Sequence, residues 1–350
     1  MDRVVHARIL GFQTMIFVNL CVIVLVVFLS YNGMLNLLSV HDAFLYRVET
    51  STYLLSTRKH YFYMRHRGGV PLPHCVDLCP RPASRYAILV QYIGSQDGYF
   101  LSALKLSVRL HLYVMAVRHE TDFILEMVRE VPPRVTDADV LSALRAGYDQ
   151  VCHSRPIIGG YYNRFRIFNM TQYESVLFLD SDIIPVNDVS DLIANGTLAM
   201  QSADKHLMWT HEIRANWFNA GVMLVLPDPA ILNVLMRLFN KLLASGYIRY
   251  VENSKNPRDQ AFLNHVFHAV KGNSLLMSEK YNAMIHEQTA ASEDVLRYAH
   301  LIHFTDSKPW KESRCYWKYH YGRICDLWFA TPTVLSQDFL EAHSAYAKKS

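Results

Sequence analysis

The sequence predicts an α/β domain, a sheet flanked by helices on both faces, standing behind one apolar span near the N-terminus. Three observations predict it. Short apolar runs alternate with stretches of helical spacing from Tyr86 onward. One of those runs, VLFLDSD from Val176 to Asp182, ends in two aspartates. After Arg3 and Arg8 no Asp, Glu, Lys or Arg appears until Asp42, and Ile9 to Tyr31 is almost wholly apolar. Alternating strand and helix signals argue for a parallel sheet.

Taken in order, the first strand is Tyr86–Val90, which runs toward a turn containing Gly94. Tyr99–Leu112 has apolar residues at helical spacing, and the apolar run Leu112–Val117 stands where the next strand is expected. Helical patterns follow near Val140–Arg145 and over Tyr161–Thr171, and the latter feeds the strand Val176–Leu179. Gly221–Leu226 is a further strand, and Pro229–Ser245 is a long amphipathic helix opened by proline and closed by Gly246. Tyr298–Phe304 is a late apolar run, and the chain from 312 to 350 is aromatic-rich without a clear period.

Of the 350 residues 51% are hydrophobic, enough for a full core, which excludes a disordered chain. A net charge of +4 with no dense Lys/Arg cluster excludes nucleic acid as the main partner. An apolar stretch of about 20 residues crosses a bilayer. Basic residues ahead of the span favour a cytosolic tail at 1–8, an anchor at 9–31 and everything later on the luminal side of the ER or Golgi, a single-pass type II arrangement. A cleaved signal peptide is the rival, but its apolar core runs only about 7 to 15 residues. Residues 32–84, punctuated by Gly68-Gly69 and by Pro71, Pro73, Pro80 and Pro82, read as a stem. The folded domain then covers 85–311, with 312–350 an extension packed on it.

Five of the six cysteines, Cys75, Cys79, Cys152, Cys315 and Cys325, lie beyond the span, so one is unpaired or bridges two chains in a homodimer. Cys75 and Cys79 lack a second ligand pair for zinc, and an oxidising lumen favours a local disulfide between them. Asn169-Met-Thr171 and Asn195-Gly-Thr197 are glycosylation sequons.

Asp180 and Asp182 stand where a strand should end, which is where an α/β sheet binds ligands. Both carboxylates project one way if the chain stays extended, and burying them unpaired costs several kcal/mol. A divalent cation of the Mg²⁺ or Mn²⁺ kind, sharing its shell with phosphate, is one partner. A capped turn, supported by Ser181 and the Pro185-Val-Asn187 segment, is the other.

Around these residues stand Arg164, the segment WFNAGV from Trp217 to Val222, Arg258-Asp259-Gln260, Tyr281-Asn282 and HFTDSKPW from His303 to Trp310. In that order they resemble glycosyltransferase family 8, retaining transferases that act on nucleotide sugars, and the likeness runs from about Arg85 to Trp310. The resemblance implies the GT-A fold, a Rossmann-like mixed sheet, and makes 85–311 the catalytic domain. It implies a hexose-type transfer from a UDP-sugar to a glycan, lipid or protein acceptor. Asp180, Asp182 and His303 would bind Mn²⁺, with Mg²⁺ as a substitute, and Lys308 would touch the diphosphate. Ser181 and Asn219 would bind the donor, with Gly221 permitting close backbone approach. Asp259 and Gln260 would flank the anomeric carbon.

Three departures from the family pattern stand out. Arg164 replaces a lysine, exchanging a point contact for a planar fork, which suits a donor bearing a carboxylate such as glucuronate. Gln91-Tyr92 replaces the family's uridine contact, with Tyr92 able to stack on a base. The loop between His303 and Lys308 is one residue short. Two alternatives differ in class: a non-catalytic nucleotide-sugar-binding membrane protein of the same fold, and a DxD phosphatase, which expects Thr or Val where Ile184 stands.

Overall fold

The computed structural model describes residues 74–77, 84–93, 97–128, 137–154, 161–212, 217–244, 258–269, 274–285, 292–305, 308–311 and 322–336. The expected anchor, most of the expected stem and the Cys75 and Cys79 thiols lie outside what is described. Among the described residues no helix is long and apolar enough to cross a membrane. Cys152 and Cys325 are each disulfide-bonded.

An eight-stranded sheet forms the frame. Its strands are β1 (His74–Asp77), β2 (Tyr86–Ile93), β3 (Thr121–Val128), β4 (Gln150–Ser154), β5 (Ser175–Asp180), β7 (Leu207–Glu212), β8 (Trp217–Val225) and β9 (Ser274–Leu276). They lie in the order β1-β4-β3-β2-β5-β8-β7-β9. The four central strands β4, β3, β2 and β5 are parallel. The two innermost, YAILVQYI of β2 and SVLFLD of β5, read as near-continuous apolar runs because both faces are buried. The sheet as a whole is mixed, since β8 runs antiparallel to β5 and β7, and β1 antiparallel to β4. From β2 the chain winds outward through β3 and β4, then returns to place β5 on the other side of β2. That reversal opens a crevice at the carboxyl ends of β2 and β5, where Gln91 stands opposite Asp180.

The expected strand at Leu112–Val117 is not one. Helix α1 (Asp97–Tyr113) continues through Leu112, which is 55% exposed, and a 3₁₀ turn follows over Met115–Glu120. The strand is the next segment, TDFILEMV, disguised by two acids. Both are buried and partnered. Asp122 accepts from Ser84 Oγ (2.5 Å) and Tyr173 Oη (2.8 Å). Glu126 takes Arg166 (3.1 Å) and Gln91 Nε2 (2.9 Å). Helix α2 (Asp137–Arg145) matches its pattern, whereas Tyr161–Asn169 is 3₁₀ rather than α.

A second, three-stranded sheet is built from β6 (Ile183–Pro185), β10 (Ala283–Met284) and β11 (Leu301–His303), with β11 antiparallel to β6. Helices α3 (Ser190–Ala203), α4 (Pro229–Ala244), α5 (Arg258–Ala269), α6 (Ser292–Tyr298) and α7 (Gly322–Ala330) complete the described elements. The main core lies against β2, β3 and α1. A smaller one joins Ile184 and Phe304 to Ile324, Cys325 and Trp328 of α7. An aromatic cluster ties the 3₁₀ segment to α4 and α5: Tyr162 lies 4.4 Å from Phe239, and Phe165 lies 5.3 Å from Phe262. This packing turns Arg164 of the 3₁₀ segment toward Asp259 in the first turn of α5.

Candidate metal and diphosphate site

Asp180 ends β5, and the turn through Ser181 leads at once into β6, so the aspartates sit between two sheets. The pairing of β6 with β11 brings His303 to them from 121 residues away: His303 is registered with Ile183, and Phe304 N–H donates to Asp182 O at 3.0 Å. His303 Nε2 lies 3.3 Å from Asp182 Oδ1 and 3.9 Å from Asp180 Oδ2.

The protonation of His303 follows from a chain of bonds that begins at a backbone amide. Gly221 N–H donates to Asn219 Oδ1 (2.9 Å), which fixes that amide's orientation. The same oxygen then accepts from Asn282 Nδ2 (2.9 Å), which also donates to Thr210 Oγ1 (2.7 Å). Asn282 Oδ1 is thereby turned to His303 Nδ1 at 3.0 Å, so Nδ1 carries the proton and Nε2 presents its lone pair to the carboxylates.

Each aspartate gives one oxygen to a cationic side chain and the other to this centre. Asp180 Oδ1 accepts from Arg164 Nη2 (3.3 Å), and Asp182 Oδ2 from Lys308 Nζ (2.5 Å). Asp182 Oδ1 is buried without a hydrogen-bond partner. Two carboxylate oxygens and an imidazole nitrogen thus converge, which is an arrangement a cation resolves. The three atoms lie within 4.8 Å of one another, and their mixed O₂N set would suit Mn²⁺ or Mg²⁺. Burial would raise the Asp182 carboxyl, but Lys308 and His303 beside it together outweigh that and hold it below the usual carboxylate range. Burial likewise tends to lower Lys308, and Asp182 more than reverses it, so the ammonium stays charged. Despite the short loop, Lys308 reaches the site, its head also donating to Phe304 O and Thr305 O.

Gly221 matters for space. A Cβ there would stand 2.2 Å from His303 Cε1 and 2.9 Å from Asp180 Oδ2, so the close approach this glycine permits is that of the imidazole.

Arg164 is a buried hub. Its Nη1 donates to Ala220 O (2.8 Å), its Nη2 meets Asp180, and its Nε contacts the fully buried Asp259 as an ion pair without hydrogen-bond alignment. Burial pushes the Asp259 carboxyl up, and Arg164 pulls it partly back. Gln260 Oε1 accepts from Ala220 N–H at 3.0 Å, so this side chain braces the Asn219-Ala220-Gly221 segment. Ser181 is buried between the aspartates. Tyr92 is 3% exposed in the main core, with its ring 5.5 Å from that of Phe100. Thr210 and Asn282 also belong to the site. Tyr281-Asn282 carried the only signal, and its task, fixing the imidazole tautomer, is visible only once β7, β8, β10 and β11 are assembled.

The description "Glycosyl transferase family 8" matches residues 119–314. The chain is 27% identical over 201 residues to inositol phosphorylceramide glucuronosyltransferase 1 of Arabidopsis thaliana, covering 51% of this chain and 33% of that protein. It is 29% identical over 177 residues to glycogenin-1 of Saccharomyces cerevisiae, covering 45% and 26%. The chain thus spans a third or less of the length of these curated relatives. Among solved structures, the glycosyltransferase GlyE of Streptococcus pneumoniae aligns with a TM-score of 0.49 at 17% identity, over 76% of this chain and 64% of that one. Because the matched segment is more than half of the sequence, the chain belongs to glycosyl transferase family 8, and its mixed α/β sheet supports the GT-A fold that the resemblance implies.

Proposed function

We propose that the chain is a retaining glycosyltransferase that moves a hexose-type sugar from a UDP-sugar to a glycan, lipid or protein acceptor. The observation that carries this reading is the convergence of Asp180 Oδ2, Asp182 Oδ1 and His303 Nε2, flanked by Lys308 and Arg164. Mn²⁺, with Mg²⁺ as a substitute, is the ion those three atoms would hold; when bound it supplies Lewis-acid neutralisation of the diphosphate. Lys308 stands on the same side as a point charge for the leaving diphosphate, whose negative charge grows in the transition state. Asn219 turns its oxygen to Gly221 and Asn282, which leaves its Nδ2 to meet a donor hydroxyl. Asp259 and Gln260 shape the adjoining wall.

Arg164 is engaged by two carboxylates and a carbonyl, so a uronate carboxylate would have to displace one of them. That favours a neutral hexose. The printed name of the Arabidopsis relative favours glucuronate as the second reading. A luminal, type II membrane placement is supported by the N-terminal apolar run behind Arg3 and Arg8 and by the disulfides at Cys152 and Cys325.

The test is UDP release by the full-length chain from a panel of UDP-sugars with Mn²⁺. Turnover of one UDP-hexose, lost on chelation, is expected; turnover of UDP-glucuronate instead selects the second reading. Mn²⁺-dependent UDP binding without turnover would make the chain a nucleotide-sugar-binding protein, and no UDP binding at all would remove the reading.

A further inference from the structure

Two residues after Lys308 stands a packed tryptophan, Trp310. Lys311 N–H donates to Lys308 O at 3.0 Å, closing a turn over Lys308-Pro309-Trp310, so the backbone positions that carry the indole and the ammonium are tied together. The indole rests on the first turn of α1. A Cβ on Gly98 would stand 2.3 Å from Trp310 Cδ1, and the ring of Tyr99 meets it edge-on at 4.6 Å. Its other neighbour is Trp328 of α7, at 6.0 Å.

Trp328 is itself fixed. It is 2% exposed, its Nε1 donates to Ser102 Oγ at 3.2 Å, and Lys105 lies 4.2 Å above its ring. The Lys105 ammonium then closes the carboxyl end of α7 by donating to Trp328 O (2.8 Å) and Thr331 O (2.7 Å). Burial lowers the Lys105 pKa, so this ammonium is held by carbonyl oxygens in a site that disfavours its charge.

We propose that Trp310 is a positioning residue for Lys308, and that α1 and α7, elements outside the family-matched segment 119–314, are the anvil it is pressed against. The C-terminal helix thereby belongs to the donor site rather than to a separate appendage. Resting as it does on the glycosyltransferase reading, the proposal predicts a separation of two affinities. The ion would be held by Asp180 at the end of β5, Asp182 in the turn before β6 and His303 of β11, whereas the diphosphate also needs Lys308 at its place.

The experiment uses the full-length chain carrying Gly98→Ala, which pushes on the indole and leaves Trp310 and Lys308 chemically intact, alongside Trp328→Ala and Trp328→Phe. Mn²⁺ affinity, Mn²⁺-dependent UDP affinity and apparent Tm are read for each. Gly98→Ala and Trp328→Ala are expected to leave Mn²⁺ affinity within about twofold and to weaken UDP binding roughly 10- to 100-fold, the cost of displacing a site group by about 1 Å. Trp328→Phe restores most of the loss. Wild-type UDP affinity in both variants overturns the proposal, as does a parallel fall of Mn²⁺ affinity, UDP affinity and Tm, the mark of general support. Should Trp328→Ala not fold, Gly98→Ala decides. Absence of Mn²⁺-dependent UDP binding in the wild type removes the site reading and the positioning role with it.

Discussion

His303 Nδ1 lies 3.0 Å from Asn282 Oδ1, and this one contact decides which imidazole nitrogen faces Asp180 and Asp182. A histidine ligand is oriented by the bond its other nitrogen makes, and removing such a partner costs about 10- to 100-fold in metal affinity. Asn282→Ala is therefore expected to weaken Mn²⁺ binding by that factor. Isothermal titration of the variant checks it, and an unchanged affinity would deny Asn282 the orienting role.

Gly221→Ala should act on the same centre by crowding. The added methyl would meet His303 Cε1 at 2.2 Å, against a ring that Asn282 holds from Nδ1. Overpacking of this kind costs about 1–3 kcal/mol. The expected outcome is a lowered apparent Tm together with loss of Mn²⁺ binding, and a variant that binds Mn²⁺ normally would show that the imidazole has room to move.

Arg164 and Asp259 form a buried pair, so removing one partner should hurt more than removing both. Arg164→Ala leaves an uncompensated buried carboxylate, at about 3–5 kcal/mol. Adding Asp259→Asn removes that charge, and the double variant is expected to regain part of the loss in denaturation midpoint. Strict additivity would mean the two groups do not interact.

Legibility in the sequence differed from element to element for physical reasons. VLFLD announced β5 because the strand is buried on both faces, and Pro229 announced α4 because its missing N–H is harmless at a helix start. The strand Thr121–Val128 was hidden because Asp122 and Glu126 are buried with partners that lie 38, 51, 35 and 40 residues away, and no local pattern records such pairing. Strand direction was equally out of reach. The turn back that makes β8 antiparallel to β5 is set by packing, not by the apolar run itself. Within the site, the metal-type residues were readable from motif order. Gly221 making room for His303, and Asn282 setting its tautomer, required the β6–β11 pairing to be seen.

Tyr148 and Tyr173 give a pH dependence that is independent of the site. Burial raises both phenols above their ordinary value, and Asp122 adds to the shift of Tyr173. A raised folded-state pKa contributes stability that is fully present below the unfolded value of about 10 and is lost above it. Stability should thus be insensitive to these groups up to about pH 9.5 and fall beyond pH 10, by about 1.4 kcal/mol per pH unit for each tyrosine, with apparent Tm falling alongside. The Tyr148→Phe variant should show a shallower alkaline fall than the wild type, and an identical slope would exclude Tyr148 as a source.

The central claim is that the β6–β11 pairing assembles one cation site from Asp180, Asp182 and His303. Mn²⁺ binding by the full-length chain, followed by the loss of the free-ion electron paramagnetic resonance signal, tests it most directly. The wild type should take up one tightly held Mn²⁺ per chain, while Asp182→Asn and His303→Ala should each abolish that uptake in a chain that remains folded, with Tm lowered because each removes a buried partner. Undiminished Mn²⁺ uptake in both variants would contradict it.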